Sequence, residues 1–224
     1  MTLLHIDAPA PLGLLAWLLA AVGVLHALRR MPRPFLPTAA AQHSWLAAIV
    51  CLSLLWSLRV RSPVGLDFGL LGSALFTLIF GRVQAILGLL AALAIHTVLG
   101  SGSWASFGLD AVTSILVPVW ITAALQVQLE RRMPKNLFVF IIGNGLFVTL
   151  LATACSALMM LALAALEAPA RTQLIGDLVA YALLLAWGEA LLSGMLFSAL
   201  VVFLPVSVLT YRQDLYLPPR KRLL

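Results

Sequence analysis

The side chains able to hold a cation are few in this chain, and seven of them (His5, Asp7, Asp67, His96, Asp110, Glu167 and Asp177) fall toward one face when the apolar segments are laid out as alternating spans. Imidazole together with carboxylate is a donor set suited to divalent transition metals. His96 stands about one turn inside its segment, where helix capping gives no reason for an imidazole. Asp67 and Asp110 open their segments, so they serve either as ligands or as N-terminal caps, a position that favours aspartate. Asp177 has the same two readings, with capping or plain surface placement the stronger. Glu189 differs, because it lies near the middle of the last segment, where a carboxylate must be paired, protonated or functional. Its candidate partners are Asn144, Arg82 or a backbone group. The donor set assembled this way is His5, Asp67, His96 and Asp110, with Asp7 and Glu189 supporting it from behind.

The elements that must carry these groups are membrane helices. The 224 residues are 62% hydrophobic and 10% charged, with a mean hydropathy of +1.07, whereas a soluble domain has about 45–50% apolar and about 25% charged residues. A helix needs about 20 apolar residues to cross the hydrocarbon core. Candidate spans run over 12–28, 45–58, 68–80, 83–99, 109–127, 137–166 and 175–208, which predicts an all-α polytopic bundle of seven helices in a single membrane domain, 1–224. The third segment is short and carries Gly69 and Gly72, as do segments whose backbone lines a site, and it either spans or re-enters. Pro205 is expected to kink the last segment near its end. If the N-terminus faces outward, eleven of the fourteen Lys and Arg residues fall on the inner side, so the positive-inside rule predicts N-out, C-in. Residues 212–224 then form a basic cytoplasmic tail that faces partners or anionic lipid headgroups. Met1 to Pro9 lacks a basic n-region and a small-residue cleavage site, so the first helix is expected to remain in the mature protein.

The same pass excludes several classes. The basic residues lie in short loops that set topology, which argues against nucleic acid as a partner. Cys51 and Cys155 sit in apolar runs and have no metal-site spacing. There is no phosphate-binding loop, so this chain binds no nucleotide, and no HExxH or GxSxG, so no enzyme is expected. The small residues around Gly72 (Gly69, Ser73, Ala74) and around Glu189 (Gly188, Ser193, Gly194) read as stripes that let helices approach closely. Met159, Met160 and Met195 read as packing.

Three stretches carry a resemblance to a known family. They are Leu70-Leu71-Gly72-Ser73-Ala74 with the turn at Gly81, the run from His96 through Gly108 to Asp110, and Trp187-Gly188-Glu189-Ala190-Leu191. With the seven-segment, N-outside plan, they resemble the CbiM/NikM substrate-capturing membrane components of energy-coupling-factor transporters for cobalt and nickel, over nearly the whole chain. The resemblance implies a metal held by a free N-terminal amine, a histidine beside it and a second histidine ahead of the LLGGAL-type run. Here the corresponding text is Leu4-His5-Ile6-Asp7 behind three extra residues, and the second histidine position falls at about Gly69, two residues past Asp67. His96 and Asp110 stand where the family has amides. A rewired site of different geometry or metal is the expectation.

The leading functional reading is capture of a divalent transition-metal ion, as substrate, at the outer face of a bacterial-type inner membrane. A transmembrane coupling subunit and ATPase subunits would supply the energy. The alternative is an integral membrane accessory or assembly protein with no ion site, in which the acids are caps and His96→Gln is harmless. An intramembrane hydrolase ranks well behind both.

Overall fold

The computed structural model describes residues 10–57, 60–61, 67–99, 103–134, 136–167 and 172–211. Among these residues, seven helices form the bundle, with a two-residue antiparallel ladder in the connection between the second and third. Helix α1 is Ala10–Arg29 and α2 is Ala39–Leu55; α3 is Ser73–Phe80 and α4 is Arg82–Val98. Helix α5 is Phe107–Arg132, with a π-helical stretch at Ala111–Leu116. Helix α6 joins Leu137–Ile142, the π-helical Gly143–Val148 and Thr149–Glu167, and α7 is Thr172–Phe203.

At about 1.5 Å per residue, the 20 residues of α1 and the 32 of α7 match or exceed a hydrocarbon core about 30 Å thick. Helices α1, α5, α6 and α7 are each long and apolar enough to cross, and α2 and α4 are shorter apolar helices. Their outward faces carry Leu14, Leu18, Leu184, Met195 and Phe203, all more than half exposed. Such a surface suits lipid and not water. Cys51 and Cys155 are free and exposed on it.

Helix α3 is the exception to the span pattern. Eight residues rise only about 12 Å, so α3 is a half-length helix, paired with α4 through the single residue Gly81 (φ +87°). The expected segment 68–80 therefore shortens at its start. Phe68 belongs to the ladder, where Val60 faces Phe68 and Arg61 faces Asp67 across the two strands. That ladder is the one departure from an all-α fold among the described residues. Helix α3 is buried among its neighbours, with Ser73, Ala74 and Leu78 fully enclosed.

Helix α7 also ends earlier than the expected 208. Proline pushes the residue before it out of the helical region, and Leu204 (φ −133°, ψ 54°) stops the helix ahead of a 3-10 turn at Pro205–Ser207. The chain then returns to α3, where Leu209 N donates to Ile79 O (2.7 Å) and Thr210 Oγ1 donates to Leu78 O.

Small residues set one helix crossing. A Cβ on Gly145 would lie 3.0 Å from Gly194 Cα, so α6 and α7 touch backbone to backbone. Gly188, by contrast, faces open space. The expected stripe around Glu189 is therefore a contact at Gly194 and not at Gly188.

Candidate metal-capture site

The best-defined polar arrangement inside the bundle is built on Glu189. This residue sits midway along α7 and is 3% exposed. Its Oε2 accepts from Leu71 N and its Oε1 accepts from Gly72 N, each at 2.8 Å. Gly72 occupies the position before the first residue of α3, in the left-handed region (φ +68°), and α3 has no side-chain cap of its own. The first amides of a helix lack intrahelical partners and carry partial positive charge. Glu189 reaches from another helix to the N-cap amide and the one before it, and sets a carboxylate at the start of α3. Of its candidate partners, the backbone takes the role. Asn144 instead donates to Phe140 O (3.0 Å), and the Arg82 guanidinium lies 4.5 Å from the Trp120 ring centroid.

The other face of the same segment is held by α2. Trp56, at the C-terminal end of α2, donates through Nε1 to Leu71 O (2.9 Å). Leu71 is thus held by its N–H to α7 and by its C=O to α2. The Trp56 ring also meets His96 edge-on, with centroids 6.4 Å apart. His96 lies in the last turn of α4 and is fully buried. The path His96, Trp56, Leu71, Glu189 therefore links a buried imidazole to the half-helix through contacts of three elements. Trp56 carries no motif in the sequence. Its signal is an indole N–H inside an apolar segment, which must find an acceptor.

Removing only that donor tests the link. Trp56→Phe keeps a ring against His96 and leaves the buried Leu71 carbonyl without its partner. We expect a loss of about 1–2 kcal/mol, read as earlier unfolding of the detergent-solubilised protein on heating. An unchanged melting curve would mean that water reaches Leu71 O.

Asp110 sits four residues past Ser106 in the first turn of α5, immediately before the π-helical stretch, and is 2% exposed. It does not open its helix; Ser106 does, and Ser106 Oγ donates to Asp110 Oδ2 (3.1 Å). The turn is anchored to α1 by stacking of Phe107 on Trp17 (5.2 Å) and by Gly108, where a Cβ would lie 2.9 Å from Trp17 N. Single π-turns inside α-helices are frequent at functional sites. This one is braced from α6, where Ser156 Oγ donates to Thr113 O. His96 and Asp110 thus flank one short connection at the same end of the bundle, both enclosed.

The remaining expected site residues are placed less fully. His5 and Asp7 lie outside the described residues. Asp67 is described through its backbone, in register with Arg61. Asp177 is exposed and stands inside α7, past its first turn, which fits surface placement and not a cap. Among the described residues there is no group of three or more His, Cys, Asp or Glu able to hold a metal ion.

A half-helix held at both ends, and a buried imidazole and carboxylate at one end of the bundle, are features of a substrate-handling membrane protein. The family comparison decides which kind. The profile of the family described as "Cobalt uptake substrate-specific transmembrane region" (CbiM) matches residues 8–206. The chain belongs to the CbiM family. It is therefore a multi-pass membrane protein and a transmembrane component of cobalt or nickel uptake. The match runs from two residues ahead of α1 to Val206, inside the 3-10 turn after α7, and so covers all seven described helices of this CbiM-family chain. No match is found among individually curated proteins.

Proposed function

We propose that this CbiM-family chain captures a divalent transition-metal ion at the outer face through an altered donor set, and passes it inward with a coupling subunit and ATPases in a bacterial inner membrane. The observation that carries the reading is the buried pair His96 and Asp110 at one end of the bundle. A fully enclosed imidazole and an enclosed carboxylate are costly in a membrane protein unless they serve an ion pathway. His5 and Asp67 complete the proposed donors, and Asp7 supports them. Glu189 acts through the 71–72 backbone rather than on the ion, by holding the half-helix against which the 67–70 segment is set. N-out, C-in is the orientation that makes this end the outer one.

Elemental analysis of the purified protein tests the proposal, with wild type beside His96→Gln and Asp67→Asn. Stoichiometric metal in wild type and its loss in both variants is the expected result. Substitutions behind the ligands, such as Asp7→Asn, are expected to weaken binding about 10–100-fold. Wild type that stays metal-free after loading with cobalt, nickel, zinc and copper would overturn the reading.

A second reading is an accessory membrane protein without an ion site. It draws support from the Ser106–Asp110 bond, which satisfies one oxygen of Asp110 locally. On that reading, His96→Gln leaves every function intact.

A further inference from the structure

Two grooves of opposite character meet at one side chain, Trp120. The first, of about 680 Å³, lies at the basic end of the bundle, between the end of α1, the start of α4 and the end of α5. Arg30 and Arg82 line it, as do Val83 and Gln84 from the first turn of α4. That 17-residue helix has no side-chain cap, so its positive end opens on the same space as the two guanidinium groups. Glu130 is the acidic side chain in the lining, with Oε1 accepting from Gln126 Nε2 (3.4 Å); two guanidinium groups against one carboxylate leave the groove net cationic.

The second groove, of about 440 Å³, runs between α1 and α5 and is lined by Leu19, Val22, Leu116 and Ile121. It is apolar except at its boundary. There His26 lies 5.2 Å from the Trp120 ring, with a buried Nε2 that makes no hydrogen bond among the described residues. Trp120 lines both grooves and carries Arg82 over its ring at 4.5 Å. A tryptophan at the boundary of an apolar slot and a charged one occupies the position such rings take at the edge of a bilayer.

We propose that the double groove binds one anionic phospholipid, with its phosphodiester on Arg30 and Arg82 and one acyl chain between α1 and α5. Three observations choose this occupant. The lining changes from apolar to cationic across one residue, as an amphiphile does at its head–tail boundary. On α1, Val22 of the slot and the nearby Leu18 and Leu25 are exposed where lipid chains would surround the bundle. Both volumes fall within the ~300–1,000 Å³ of small-molecule sites. The net positive lining also disfavours the groove as a resting place for a divalent cation, because like charge repels it. The inference rests on the membrane fold and is independent of which ion the chain handles.

Native mass spectrometry of the full, partly delipidated chain tests it, with dioleoyl phosphatidylglycerol, dioleoyl phosphatidylcholine and inorganic phosphate as probes. One phosphatidylglycerol is expected to stay bound in preference to phosphatidylcholine. Arg30→Gln and Arg82→Gln should each weaken that binding about fivefold. Val22→Trp fills the apolar slot without touching either arginine and should weaken it as well. Arg30 is exposed, so Arg30→Gln carries the test should Arg82→Gln not fold. Equal retention of the two lipids, unaltered by the arginine variants, overturns the proposal and leaves the grooves to ordinary surrounding lipid or a partner helix. Competition by inorganic phosphate as effective as that by phosphatidylglycerol also overturns it, in favour of a bare anion site.

Discussion

Replacing Glu189 with alanine is expected to destabilise the solubilised protein by about 3–5 kcal/mol, the largest effect of any single polar substitution in the bundle. The buried Leu71 N and the half-buried Gly72 N lose their acceptors together, and each unsatisfied buried group costs about 1–3 kcal/mol. Neither amide has another acceptor within the half-helix, since the first turn of α3 looks outward. An isolated helix of eight residues is far below the length that is stable alone, so α3 depends on what holds its ends. Its far end is held by Leu209 N and Thr210 Oγ1, both beyond α7. Glu189→Gln gives a graded comparison. It keeps one acceptor oxygen and turns an NH₂ toward the second amide, so its loss should be about 2–3 kcal/mol. Thermal unfolding followed by tryptophan fluorescence reads both, because Trp56 is bonded to Leu71. Equal melting of Glu189→Ala and wild type would mean that α3 is held by packing alone. A stable Glu189→Ala protein that has lost uptake would instead place the residue in transport without a structural part.

Much of this architecture is legible in the chain, because a bilayer imposes length and polarity on every span. The seven segments and the turn at Gly81 follow from apolar runs punctuated by arginine, glycine and proline. What hydropathy cannot separate is an apolar helix from an apolar extended segment. Phe68, Gly69, Leu70 and Leu71 are as hydrophobic as the helix they precede, so the segment reads as one piece although helix begins only at Ser73. The end of α7 was within reach, since Pro205 restricts Leu204 whatever the bundle does. Partners across the bundle are another matter. That Glu189 needs a partner follows from its depth; that the partner is a backbone pair about 118 residues away follows only from the packing of α3 on α7. Trp56 and Ser106 are ordinary residues until the fold brings Leu71 and Asp110 to them. The small residues show the same limit: Gly188 and Gly194 look alike in the chain, yet only Gly194 meets another backbone. Of the proposed donors, His96 and Asp110 are enclosed, as ligands or structural groups both would be, whereas Asp177, which is not one of them, is exposed.

The second large effect is expected at Gly72, where two costs can be measured separately. Gly72→Ala places a Cβ 2.4 Å from Leu52 Cδ2 and forces an L side chain to φ +68°. The left-handed backbone alone costs about 1–2 kcal/mol, and crowding of a well-packed site typically adds about 1–3 kcal/mol. Leu52 is 8% exposed, so its methyl groups have little room to retreat. A total of about 2–5 kcal/mol is expected. In a Leu52→Ala background the steric part should vanish and the conformational part remain, so the cost of Gly72→Ala falls to about 1–2 kcal/mol. The difference, the steric part, is a coupling energy of about 1–3 kcal/mol between two residues in contact, within the range such cycles give. Strict additivity would show that the clash is absorbed by α2 and that glycine is required for its backbone alone. A residual cost near zero would show that the α3 start moves out of the left-handed region. Gly72 N would then leave Glu189, and the Gly72→Ala and Glu189→Ala losses would cease to add.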